Sequence, residues 1–185
     1  STTGNSLSGG TQGDRLSSGG IVALSDGGFA IVSPDYSYQP AAALISKAGA
    51  VHWVAAGDSP RGSTNQYTKA LVGAATNDRV GSGGVTELNN GAFVVASPEW
   101  SSKRGAATFV GNGSTLDLTN VTAGNSLTGA NTNDQISVGG ITKLSDGNYV
   151  VNSFRWNGNR GAVTWVNGSN GLIGSDTTQV LGANV

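Results

Sequence analysis

One phrase occurs three times in this chain. It runs from Gly19-Gly20-Ile21 to Ser33, from Gly83-Gly84-Val85 to Ser97 and from Gly139-Gly140-Ile141 to Ser153. Such a chain must place three equivalent segments in equivalent surroundings. The Gly-Gly pairs are 64 and then 56 residues apart, whereas the pairs Gly49-Ala50, Gly105-Ala106 and Gly161-Ala162 are 56 apart both times. The unit is therefore 56 residues, and the first copy carries eight extra residues within 37–48. Loops accept such insertions better than strands do. The chain reads as one repeat domain, 1–185, with repeat 1 at about 5–68, repeat 2 at about 69–124 and repeat 3 at about 125–178. Residues 179–185 reopen the same phrase, as the start of a fourth unit or a closing strand.

Each unit opens with Leu-x-Gly (Leu7, Leu71, Leu127), then an aspartate (Asp14, Asp78, Asp134), then the Gly-Gly pair and a first strand. Asp26-Gly27, Asn90-Gly91 and Asp146-Gly147 mark hairpins and predict type I′ turns, which need positive φ at both central positions. The second strands are Phe29–Val32, Phe93–Ala96 and Tyr149–Asn152, and the third contain Trp53, Phe109 and Trp165. The next unit's Leu-x-Gly segment can supply a fourth strand. In the second strand, Phe93 and Val95 lie on one face and Val94 and Ala96 on the other. Both faces are apolar, which predicts a sheet packed between two layers. The expected fold is all-β: a β-propeller-like array of three four-stranded blade units. A closed threefold β-trefoil or β-prism is the alternative.

Composition narrows the function. Charged residues are scarce at 11% and the net charge is −1, so there is no electrostatic footprint for nucleic acid. No apolar run approaches the ~20 residues of a membrane-spanning helix, and no membrane insertion is expected. Absent cysteine removes disulfides and thiolate metal sites and fits an exported protein.

The phrase Gly-Gly-Ile/Val-Thr-x-Leu-x-Asp/Asn-Gly-x-Tyr/Phe-Val-Val-x-Ser-Pro-x-Trp, followed by Gly-Ala-Val-Thr-Trp-Val-x-Gly, resembles propeller-like repeats of unknown function in very large bacterial surface proteins, filamentous-haemagglutinin-like adhesins among them. Residues 69–171 carry the resemblance best; the first copy is looser, with its insert and His52 at the threonine position. The resemblance implies an extracellular repeat module without known catalysis. It transfers no ligand residue.

Tyr36, Trp100 and Trp156 follow the second strand of each unit in polar loops. They are the candidate ligand-binding residues, as sugar-stacking platforms; the competing reading folds each ring back over the sheet edge, where burial is worth ~2 kcal/mol or more. Trp53, Phe109 and Trp165, inside apolar strands, are expected in the core. Asp14, Asp78 and Asp134 are calcium candidates by recurrence, but no second acid recurs with them, and a carboxylate also ties turns by accepting backbone N–H bonds. No cofactor is expected. His52 is the only histidine, and no Gly-x-Ser-x-Gly elbow accompanies it. Asn157–Trp165 is like a sialidase Asp-box turn without the aspartate, a structural element. Asn112, Asn120 and Asn167 fit the N-glycosylation pattern, where chance matches are expected in a chain rich in Asn, Ser and Thr.

The expected function is a structural or adhesive, non-catalytic repeat module at a cell surface or in an extracellular filament. Its partners would be neighbouring repeats or its own copies. The alternative is a secreted lectin binding surface glycans at one aromatic-lined site per repeat.

Overall fold

A computed structural model describes residues 6–40, 43–59, 62–63, 69–112, 114, 117–171 and 173. The fourth-unit opening at 179–185 lies outside the described residues, as does Gly113 of the Asn112 acceptor pattern.

The chain is predominantly β with three repeats. Strands β2 (Ile21–Ala23), β3 (Phe29–Ser33) and β4 (Ala50–Val54) form the first antiparallel meander. β7 (Gly84–Glu87), β8 (Phe93–Ser97) and β9 (Ala106–Val110) repeat it, and so do β12 (Ile141–Lys143), β13 (Tyr149–Ser153) and β14 (Ala162–Val166). The fourth strand of the first two sheets comes from the following unit. β6 (Ala70–Val72) pairs with β4, and β11 (Leu127–Thr128) with β9. These are the Leu-x-Gly segments, as expected. β10 (Thr119–Asn120) then runs parallel to β6 and makes the first sheet five-stranded. The parallel pair β1 (Leu7–Ser8) and β5 (Gly62–Ser63) repeats this β6–β10 arrangement one unit earlier. The three meander sheets thus hold five, four and three strands instead of a uniform four, beside the two-stranded β1–β5 pair. Among the described residues no ladder joins the third sheet back to the first, so neither a ring of blades nor a closed threefold fold is completed there.

The sheets stack face to face. Phe93 and Val95 join a core with Ala30, Val32 and Val51 of the first sheet. From the opposite face, Val94 and Ala107 join a second core with Tyr149, Val151 and Val166 of the third. Period-two alternation therefore serves two interfaces from one strand.

The hairpins differ from the expected type I′ form. Leu24 pairs with Gly28 and Leu144 with Asn148 around three-residue loops, and only the glycines, Gly27 and Gly147, take positive φ. Asp26 and Asp146 bond instead to the backbone N–H two residues on, at 2.8 and 3.0 Å. That Asx turn favours a type I turn followed by a left-handed glycine.

Units are joined where backbone crosses backbone. Gly49 bridges Val80, and Gly105 bridges Ile136, in parallel pairings. A β-carbon at Gly49 would lie 2.1 Å from the Val80 nitrogen, and one at Gly105 would lie 2.2 Å from that of Ile136. At Gly161 the nearest atom would be 3.5 Å away. All three glycines have positive φ, so any side chain there costs about 1–2 kcal/mol. Gly105→Ala adds a backbone collision and should lower stability by about 4 kcal/mol or more. Gly161→Ala should cost only the conformational share; urea unfolding of the two variants measures the difference.

Candidate functional site: the rim loops

Each recurrent aspartate sits at the end of a tight turn and accepts bonds from both directions. Oδ2 of Asp14, Asp78 and Asp134 accepts the N–H of Thr11, Ala75 and Asn131, each at 2.8 Å. Ala74 adds a further bond to Asp78, at 3.0 Å. Oδ1 reaches 23 residues onward to the N–H of Ser37, Ser101 and Asn157, each at 3.0 Å. All three aspartates are buried. Such charge-assisted bonds are roughly twice as strong as neutral ones. The aspartates proposed for calcium thus spend both oxygens on amide hydrogens. Among the described residues no group of three or more His, Cys, Asp or Glu comes together.

The residue each carboxylate captures is the one after the loop aromatic. Tyr36 is 2% and Trp100 8% exposed. Trp100 lies in the core between the first and second sheets. Tyr36 packs with Ala50, Ala70 and Val72 and meets His52 edge-on at 5.3 Å. Neither ring leaves a face open for a sugar. Trp156 packs against the second core and is only half-buried. Of the three stacking candidates, it alone keeps exposed surface.

From the captured residue the chain turns left-handed. Ser101 (φ 50°, ψ 63°), Ser102 (φ 57°, ψ 40°) and Lys103 (φ 63°) follow one another, as do Asn157, Gly158 and Asn159. Non-glycine residues resist this region, and runs of them need outside support. It comes from the carboxylate and from closing bonds: Lys103 N–H to the Glu99 carbonyl and Asn159 N–H to that of Arg155, both 3.1 Å.

A second repeated tie was not apparent from the sequence. The hydroxyls of Ser33, Ser97 and Ser153, all buried, accept the N–H of Ser17, Gly81 and Ser137 at 3.0, 3.0 and 3.1 Å. The available signal was that the serine persists in the third copy, where the proline after it does not.

The rims differ in charge. The position before the aromatic is Asp35, Glu99 or Arg155. Arg15 and Arg79 both pair with Asp35 at 3.2 Å, and Arg79 approaches Glu99 at 3.8 Å. In the third unit the guanidinium of Arg155 instead donates to the neutral Gln135 amide at 2.7 Å. It borders an open cleft of about 540 Å³, lined also by Asn131, Thr132, Asn133, Asn157 and Asn159. This cleft combines the Arg155 guanidinium, several amide groups and the buried tie aspartate Asp134, and the half-buried Trp156 lies between two of its lining residues in the chain.

His52, fully buried in β4, stands where Thr108 and Thr164 stand in the other units. Burial lowers its pKa to about 4.

The sequence profile of a repeat of unknown function, DUF5650, matches three times, at residues 23–82, 87–138 and 143–179. No curated protein matches the chain.

Removing charge from the tie tests its weight. Asp78→Asn and Asp134→Asn should each lower unfolding free energy by about 2–4 kcal/mol, because an amide has only one oxygen to offer the N–H donors. Glu99→Gln, on an exposed pair, should change it by less than about 1 kcal/mol. Urea denaturation of the three variants provides the comparison. His52 gives a pH signature. Its folded pKa lies below the unfolded value of 6.5, so the unfolded chain binds more protons between the two. Stability is then full above pH 6.5 and falls by about 3 kcal/mol as pH drops towards 4. In His52→Thr this part of the decline should be missing from unfolding curves taken across that window.

Proposed function

The chain belongs to the DUF5650 family of repeats, and we propose that it serves as a non-catalytic structural or adhesive module at a cell surface or in an extracellular filament. Its units act as propeller-like blades whose stacked sheets hold the rim loops in fixed positions. The observation that carries this reading is the use made of the middle sheet: both faces of β8 are buried against neighbouring units. The recurrent polar groups point the same way, because the three aspartates and three serines all bind backbone amides of their own unit. Low charge and absent cysteine suit an exported scaffold. Among the described residues no helix is long and apolar enough to cross a membrane.

A second reading has one specific support. The Arg155 cleft offers amides for hydroxyl groups and a guanidinium for a carboxylate, and the half-buried Trp156 stands beside it in the chain as a surface for a ring. That set suits an acidic glycan, bound in the third unit alone.

A glycan array decides between them. The scaffold reading expects no glycan to be retained by the chain, and native-state hydrogen exchange to protect β8 and β13 up to the global unfolding free energy. Selective retention of acidic glycans, lost in Arg155→Ala and Trp156→Ala while the unfolding midpoint stays within about 0.5 kcal/mol, would put a lectin in its place.

A further inference from the structure

We infer that the outer face of the third sheet is a docking surface for a further unit of this same repeat, joined in tandem on the C-terminal side. Equivalent positions in the three sheets differ sharply in burial, according to whether a following unit lies against them. Val51 and Ala107 are 0% and 1% exposed, whereas Val163, their counterpart, is 75% exposed. Trp53 and Phe109 pack against the first and second cores, whereas Trp165 is 39% exposed. The expectation that Trp165 lies in the core is thereby corrected. Its strand is built for burial, but no sheet covers this side among the described residues. Around these two side chains lie Thr142, Val150 and Asn152, which share the face by strand alternation and carry no charge. Asn152 is the one amide at a position filled by Val32 and Ala96 in the buried copies.

The backbone joint is equally prepared. In the first two junctions the next unit's chain crosses a glycine and donates to the carbonyl before it. Val80 N–H bonds to Ala48 at 3.0 Å, and Ile136 N–H to Arg104 at 3.1 Å. At the third, no described segment crosses Gly161, and no described N–H reaches the Arg160 carbonyl. Arg104 also donates from Nε to the Gly129 carbonyl of the next unit at 2.8 Å. Arg160, its counterpart, is exposed.

The occupant follows from continuity with the two interfaces already formed. They bring this face against the side of the next sheet that carries Val85, Phe93 and Val95, or Ile141, Tyr149 and Val151. A second copy of this chain, packed in the head-to-tail sense of the two existing interfaces, would offer the matching side of its first sheet. There Ile31, Ala50, His52 and Val54 are already buried, with Tyr36, Tyr38 and Leu118 packed together about Ala50, and Ile21 on the edge strand is the large apolar side chain left exposed, at 63%. A unit with that side uncovered fits instead.

The chain contains no cysteine, so Val163→Cys places one thiol on the face. In the 185-residue chain this thiol should react with a maleimide as fast as an exposed peptide thiol. In a chain lengthened after Thr178 by a second copy of residues 125–178, labelling should slow about tenfold or more, as protection by packing requires. A single cysteine placed instead at the copied Val163 position of the added unit should stay fast. Equal rates for the Val163→Cys thiol in the two chains overturn the proposal, whether or not the added unit folds. Protection that instead rises with protein concentration in the unlengthened chain, with a dimer in sedimentation, also overturns it in favour of a second copy. The proposal rests on the stacked-scaffold reading. Failure of that reading would appear as glycan retention, whereas failure of this one would appear only in the labelling rates.

Discussion

The structure depends on a buried carboxylate held by backbone amides, with no salt bridge to it among the described residues. Asp14, Asp78 and Asp134 each gather amide hydrogens from two stretches of chain, one just before the aspartate and one 23 residues after it. A buried charge of this kind is tolerable only when hydrogen bonds replace its lost water. The cost of leaving it half-satisfied makes the tie an all-or-none feature of the unit. Its two ends are the entrance turn and the rim loop, so it fixes the start of a unit relative to the end of that unit's second strand. The left-handed loops then follow. Ser101 to Lys103 resist that conformation on their own, and the chain holds it because the carboxylate and the loop-closing bonds leave no competing arrangement.

From the rim loop the chain passes to the joint between units. The rim loop ends at Gly49 or Gly105, and there the next unit's backbone lies across the glycine. That next segment, at Val80 or Ile136, comes just after the next unit's own aspartate. Tie and joint are therefore adjacent, and each unit's tie helps to position its neighbour. The loan of β6 and β11 to the preceding sheets binds the units further. No unit owns a complete sheet among the described residues. Stability should therefore accrue through nearest-neighbour interfaces, as in linear repeat arrays.

Much of this was legible in the sequence because it is periodic. The 56-residue spacing, the hairpins, the loan of the Leu-x-Gly strand and the two-sided burial of Phe93–Ala96 all follow from local patterns that the structure repeats. What was illegible depends on distance or on backbone angles. The aspartates were visible as recurrent, but a recurrence does not say which amide 23 residues on an oxygen will reach. The aromatic loops looked exposed because their flanking residues are polar; those residues line the rim while Tyr36 and Trp100 turn inward. The turn type was misjudged because Asp-Gly suits two geometries. Bonding of the aspartate to its own backbone selects the one with positive φ at glycine alone. Trp165 was misplaced for a different reason. Its strand is written like Ala106–Val110, and nothing within a strand records whether a neighbour is present.

The same comparison separates what the fold needs from what it leaves free. Tie aspartates, tie serines and joint glycines stay identical through three copies that differ widely elsewhere. The position before the aromatic lies between two such fixed points, yet it changes from Asp35 to Glu99 to Arg155 and reverses its charge. The Arg79–Glu99 pair is open to solvent on both sides and contributes little to stability, so a change at that unit costs the scaffold little. The reversal alters the rim a great deal. The acids at the first two units are neutralised by Arg15 and Arg79, while Arg155 faces a neutral amide beside an asparagine-lined cleft. A scaffold that fixes the backbone of the rim so firmly allows its side chains to change one unit at a time. Differences in recognition between units of this kind are therefore to be sought at that one position and in the cleft beside it.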